Sequence, residues 1–141
     1  MQISTRTEYA LRALLELAKT GPEAISAREI CERQSLPRKY IERLLGNMRS
    51  AGLVDSVSGA KGGYVLARKP EKVTLMQVMQ AVEDRSWEMS CLVNPPEHCL
   101  GKDCNLYLVW DDIYNNVKSV LNGYSLDRIE NMMEFSNGET K

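Results

Sequence analysis

Apolar residues recur along the start of the chain at helical spacing. Ala10, Ala13, Leu14, Leu17 and Ala18 follow an i, i+3, i+4, i+7, i+8 pattern, and Leu11 and Leu15 widen the stripe. This predicts an amphipathic helix over residues 5–19, closed by Gly21 and Pro22. Ser26 with Glu29 three residues on makes a capping box, so a short second helix follows, with Ala27, Ile30 and Cys31 on its inward face. Cys31 then reads as a small core residue. After a turn at 34–36, Pro37 suits the first position of a third helix, where its missing N–H has no intrahelical partner. That helix is expected to run to about Ser50, burying Ile41, Leu44, Leu45 and Met48 and leaving Arg38, Lys39, Glu42, Arg43 and Asn47 on other faces.

Beyond Gly52 the period shortens. Residues 53–57 and 63–67 are strand-like, and the glycine-bearing stretch 58–62 joins them as a hairpin. Two short helices, the second basic near its N-terminus, followed by a hairpin, make a winged helix-turn-helix. Residues 70–73 read as a linker. Thr74 caps a further helix with Leu75, Val78, Met79 and Val82 on one face, and a cysteine-bearing loop follows. From Asn105 to Asn122 a long helix carries Leu106, Val109, Trp110, Ile113, Val117, Val120 and Leu121 on one stripe. Little chain remains to cover that stripe, so a second copy of the chain is expected to do so. Ser125 should cap a short last helix, with a frayed polar tail from Asn137.

The expected fold is therefore mainly α: a winged helix-turn-helix over residues 1–69, a linker helix and cysteine loop over 70–104, and a dimerisation helix, short helix and tail over 105–141. The 141 residues, 43% of them hydrophobic, suffice for a real core. The net charge of −1 hides an asymmetry. Residues 1–69 carry 12 Lys and Arg against 7 Asp and Glu, whereas residues 70–141 carry 6 against 12. A basic half fitted to a polyanion and an acidic half with another task follow from this. No apolar run approaches a membrane span and the N-terminus lacks an apolar signal segment, so a cytoplasmic location with no membrane partner is expected. No nucleophile–base pair or phosphate-cradling loop suggests an enzyme.

Two groups of residues carry chemistry. Arg38, Lys39, Tyr40, Glu42 and Arg43 occupy the half of the third helix that reads base edges in a helix-turn-helix, and Lys61 sits at the hairpin tip, suited to a minor groove or its phosphates. Arg43 has the fork for a bidentate guanine contact. The other group is Cys91, Cys99 and Cys104, spaced C-x7-C-x4-C in a segment with two prolines and a glycine. Three readings stand open on spacing. Structural zinc normally shows four ligands in short pairs. A disulfide switch uses two thiols and leaves one unexplained. An iron–sulfur cluster tolerates irregular spacing and an outside ligand. His98, Glu8, Asp103 and Tyr107 are the candidate fourth donors.

The opening ISTRTEYALRALLELA, the segment LPRKYIERLL, AGLV leading into SGAKGGYVL, TLMQVMQAVE and the three-cysteine loop resemble the Rrf-two family of bacterial transcription factors, of IscR, NsrR and RirA type. The resemblance implies a homodimer with crossed long helices, presenting two winged helices to a pseudo-palindromic double-stranded DNA operator. It implies a DNA-binding regulator, a repressor by expectation, tuned by a cluster that senses redox state, nitric oxide or iron. Cys91, Cys99 and Cys104 match the cluster cysteines. Where one branch completes a [2Fe-2S] site with a histidine, this chain has Tyr107. Where another ligates [4Fe-4S] through an aspartate of the partner's first helix, this chain has Glu8, so [4Fe-4S] with Glu8 of the partner subunit is favoured. Ser58 replaces the family's wing arginine, leaving Lys61 as the wing contact. The alternatives are a cluster-free regulator switched by thiol–disulfide exchange, and a winged helix serving as a protein-docking module.

Overall fold

The computed structural model describes residues 3–85 and 88–139. In chain order it has α1 (Thr5–Thr20), α2 (Ala27–Gln34), α3 (Arg38–Ser50), β1 (Val54–Val57), β2 (Gly63–Leu66), a 3-10 turn (Pro70–Lys72), α4 (Leu75–Val82), α5 (Ser90–Val93), a second 3-10 turn (Gly101–Asp103), α6 (Leu106–Asn122) and α7 (Leu126–Glu139). The mainly helical winged-helix architecture expected from the pattern is the one found.

Local chemistry explains the head. Ser4 caps α1 by accepting from the Arg6 N–H, and Ser26 and Glu29 close a full capping box on α2. Ser35 adopts a left-handed conformation to turn the chain into α3. Pro37 is one residue outside its expected place. Its ψ of 125° keeps it extended as the N-cap, and its carbonyl accepts the first helical bond from the Ile41 N–H at 3.1 Å. Ala10, Leu14, Leu17, Ile30, Ile41, Leu45, Met48 and Val54 form one sealed core.

β1 and β2 pair antiparallel in the register Val54–Leu66 to Val57–Gly63, and Ile25 adds a bridge to Tyr64. That bridge explains Gly63: a Cβ there would lie 2.3 Å from the Ile25 carbonyl oxygen.

α4 is two-sided. Val78 and Val82 enter the head core, while Met76 and Met79 pack with Leu121 of α6, flanked by Leu75, Tyr114 and Val117. Met76, absent from the expected face, is buried, whereas Leu75 is half-buried. A single apolar stripe had no place for a helix wedged between two layers. The turn after α6 is stitched to the linker by Leu75 N–H to the Tyr124 carbonyl (2.8 Å) and Leu126 N–H to the Val73 carbonyl (2.9 Å).

α7 runs 14 residues and packs back on α1 and the first 3-10 turn, with Leu126 fully buried. The expectation of a short helix with a frayed tail from Asn137 is corrected through Glu139; the last two residues lie outside those described. No proline interrupts this segment, and the only glycine, Gly138, comes at its end, so polarity alone did not stop the helix. No helix among the described residues is long and apolar enough to cross a membrane.

Candidate functional site

The face of α3 expected to read DNA is exposed at Arg38, Lys39, Glu42 and Arg43. Arg38 donates to Glu42 at 3.0 Å, one turn away, so these two hold each other in the absence of a ligand. Lys39 and Arg43 make no ion pair among the described residues. Tyr40 is drawn inward: it is half-buried, its ring edge-on to Tyr9 at 5.7 Å and 89°. Its packing role is the clearer one. Lys61 is exposed at the wing tip, where the Gly62 N–H closes the turn on the Gly59 carbonyl at 3.0 Å. A Cβ at Gly62 would stand 2.3 Å from the Val57 carbonyl oxygen, so the tip is built for glycine.

Cys91, Cys99 and Cys104 come together on the wall of one cavity of about 530 Å³, with Leu92, Gly101, Tyr107 and Trp110. Each arrives by a different route: Cys91 from α5, Cys99 from the turn after Pro96, and Cys104 from the end of the second 3-10 turn. All three thiols are free and half-buried. Gly101, at φ +58°, lets its N–H donate to Cys99 Sγ at 3.4 Å. Among the described residues no three His, Cys, Asp or Glu side chains are already converged as metal ligands. Donor type and room fit a thiophilic group, and the sulfurs have to draw inward to hold one.

Of the candidate fourth donors, only Tyr107 is on this wall. His98 and Asp103 are exposed away from it. Glu8 lies on the exposed face of α1, 3.8 Å from Arg12, and does not line the cavity of its own chain. Sequence reasoning missed Gly101 and the second role of Trp110. Gly101, midway between two of the cysteines, and the i, i+3 relation of Tyr107 to Trp110 were the available signals. Cys31 behaves as expected of a core thiol: burial pushes its pKa up, with Arg38 acting weakly the other way.

The cavity is tied to the head where α4 ends. Glu83 accepts from Thr7 Oγ1 at 2.7 Å and from Ser4 Oγ, and Arg6 pairs with Asp84 at 3.6 Å. Thr7 is fully buried, so this anchor is sheltered. The segment entering the cysteine loop is thereby fastened to the first turn of α1.

A helix-turn-helix with a wing, carrying a cysteine-lined cavity on a helical limb, is a winged-helix transcriptional regulator. The chain belongs to the Rrf2 family: residues 3–131 match the family described as an iron-dependent transcriptional regulator. It is 33% identical over 131 residues to the HTH-type transcriptional regulator IscR of Aliivibrio salmonicida, covering 92% of this chain and 77% of that one. Among solved structures, IscR of T. potens matches with a TM-score of 0.70 and 29% identity over 96% of this chain and 90% of that one. CymR, described as the global cysteine regulator of B. subtilis, matches with a TM-score of 0.70 and 30% identity over 92% of this chain and 95% of that one. These relatives are named as regulators of transcription, not as enzymes.

Proposed function

We propose that this chain is a cytoplasmic, homodimeric repressor whose grip on a double-stranded DNA operator is set by an iron–sulfur cluster held by Cys91, Cys99 and Cys104. The observation that carries the reading is the meeting of three sulfurs from three local turns on one cavity wall, with a backbone N–H already aimed at Cys99 Sγ. The family's description as iron-dependent supports it. When bound, such a cluster supplies a centre that reacts with oxygen, nitric oxide or oxidants.

The labour divides along the chain as residues 1–69 for DNA, 70–104 for sensing and 105–141 for pairing. Arg43 reads a base edge and Lys39 and Lys61 hold phosphates, with Arg38 and Glu42 opening their mutual ion pair to join them and Tyr40 steadying the helix. Residues of α6 from Leu106 to Ile113 keep large apolar surfaces exposed, which a second copy of the helix would cover. In such a dimer Glu8 of the partner subunit completes the ligand set and favours [4Fe-4S] over [2Fe-2S]; Glu8 is not among the residues that line its own chain's cavity. Cys91 and Cys104 bracket the loop between α4 and α6, so gathering their sulfurs alters how α4 sits on α1 and α3. That shifts the spacing of two reading helices against a target of about one DNA turn.

The second reading is a thiol–disulfide switch without iron, supported by three free cysteines with no converged ligand geometry. One experiment separates the two. Protein isolated under strict anoxia should carry iron and sulfide with visible absorption, and Mössbauer spectra should give the nuclearity. Cys99→Ser should abolish that absorption while leaving a folded chain. Colourless, iron-free protein whose operator affinity follows oxidant would replace the cluster with the disulfide; stoichiometric iron in Cys99→Ser would remove that ligand.

A further inference from the structure

A second cavity, of about 410 Å³, lies between the first turn of α1, α3 and the end of α4. Its walls include Arg6 from the first turn of α1, Arg43 and Asn47 from α3, and Asp84 from the end of α4. Arg43 and Asn47 are one turn apart on α3, so an arginine from α1 and an arginine and an amide from α3 line one notch next to the base-reading surface. Arg6 is 40% exposed and Asp84 60% exposed, so their 3.6 Å contact is a solvent-accessible pair of the weakly held kind. A phosphate offers the guanidinium a bidentate partner carrying a full charge, which such a carboxylate does not outbid by much.

We propose that this notch seats a backbone phosphate of the DNA through Arg6 and Asn47, beside the base-reading Arg43, and that Asp84 competes with that phosphate for Arg6. The inference rests on the DNA-binding reading above and adds a regulated contact to it. Asp84 directly follows Glu83, which Thr7 holds to α1, and leads into the segment that carries Cys91, so it stands at the junction between the anchored end of α4 and the cysteine side. With Asp84 against Arg6, as here, the notch holds one cation fewer for DNA. When the segment shifts and Asp84 withdraws, Arg6 is released to the phosphate. The cysteine loop thus changes the number of phosphates the head neutralises, in addition to any change in the spacing of the two heads.

The test reads ion release. Full-length protein is titrated against a 30-base-pair duplex enriched from random sequence by the unaltered chain, across potassium chloride from about 50 to 200 mM. Each phosphate contact contributes about 0.9 to the slope of log affinity against log salt. Arg6→Gln removes one contact from each half of the dimer and should flatten the slope by about 1.8, which is about 12-fold less loss of affinity over this range, while its base preferences stay the same. Asp84→Asn should bind more tightly at low salt with a steeper slope, an effect of opposite sign that no folding defect produces. Arg128→Gln, which removes a cation from α7, should leave the slope unchanged. An unaltered slope in Arg6→Gln, weaker or unchanged binding in Asp84→Asn, or an equal flattening in Arg128→Gln overturns the proposal. If no duplex is enriched at all, the DNA-binding reading fails and takes this one with it; enrichment with an unmoved Arg6→Gln slope sinks this one alone.

Discussion

Ile41 on the reading helix has no exposed surface, whereas Ile113, on α6, keeps 45% of its own. Both occupy the apolar stripe of an amphipathic helix, and the stripes look equally strong in the sequence. The head closes its stripes on one another: α1, α2, α3 and the wing share one core, sealed from the other side by α4 and by Leu126. The limb cannot. α6 meets the rest of the chain through α4, and from Leu106 to Ile113 its large side chains face outward. A hydrophobic pattern specifies that surface will be buried; whether the cover comes from the same chain depends on how much chain is available to fold over it.

The sharpest way to break that contrast is to cut the two isoleucines. Ile41→Ala leaves a cavity in a sealed core and should lower the free energy of unfolding by about 2–5 kcal/mol in urea or heat, at any protein concentration. Ile113→Ala should leave the head's own unfolding nearly untouched, within about 0.5 kcal/mol. Its effect belongs in association: sedimentation equilibrium should show a dimer constant weakened about tenfold, since a side chain that would be buried between copies has been trimmed. Equal destabilisation of the isolated chain by both substitutions would mean that α6 is already covered from within.

The next test stays in the head and asks what its exposed side is for. Arg43→Ala removes no buried surface, so unfolding should not move. Operator affinity should fall by about 1–3 kcal/mol, with preference relaxed at one base position, as expected when a bidentate guanine contact is lost. A uniform loss across all sequences would assign Arg43 to phosphate alone.

Legibility in the sequence follows the same division. The head was readable because its signals are local: the Ser26–Glu29 box, the break at Gly21–Pro22, and glycines at the wing where backbone approaches leave no room for a Cβ. α4 was only half-readable, because a helix pressed from both sides buries Met76 as well as Val78, and a one-stripe pattern shows one contact at a time. The cysteine segment was named by residue type, yet its shape was not: α5 and the second 3-10 turn are short, weakly patterned and closed by a few local hydrogen bonds such as Asn94 N–H to the Ser90 carbonyl at 2.8 Å. Tyrosine suits a DNA surface, which makes Tyr40 a candidate contact, whereas its edge-on packing against Tyr9, 31 positions away in the chain, has no sequence signature.

The smallest effect concerns the one carboxylate the head does bury. Glu16 is 5% exposed on α1, yet it does not resemble the open acids of the limb, because its neighbours are chosen for it. Burial by itself would raise its pKa. The hydrogen bonds from Gln34 Nε2 at 2.5 Å and Lys19 Nζ at 3.2 Å, with the charges of Lys19 and Arg33, outweigh this and hold the carboxyl below its ordinary value of 4.5. Arg12 Nε in turn donates to Gln34 Oε1 at 3.1 Å, so the network fastens the end of α2 to α1. A folded-state value below the unfolded one means the folded chain binds this proton less readily than the unfolded chain. The stabilisation is therefore complete above about pH 4.5, and it is lost as the pH falls through the depressed folded-state value. Glu16→Gln should cost about 1 kcal/mol at pH 7, where lysine and arginine lose their partner, and should flatten the acid limb of the stability profile measured by urea unfolding between pH 3 and 7. An acid limb that keeps its full steepness in Glu16→Gln would place the acid-sensitive contacts outside this network, and the join between α2 and α1 would no longer be what acid loosens in the head.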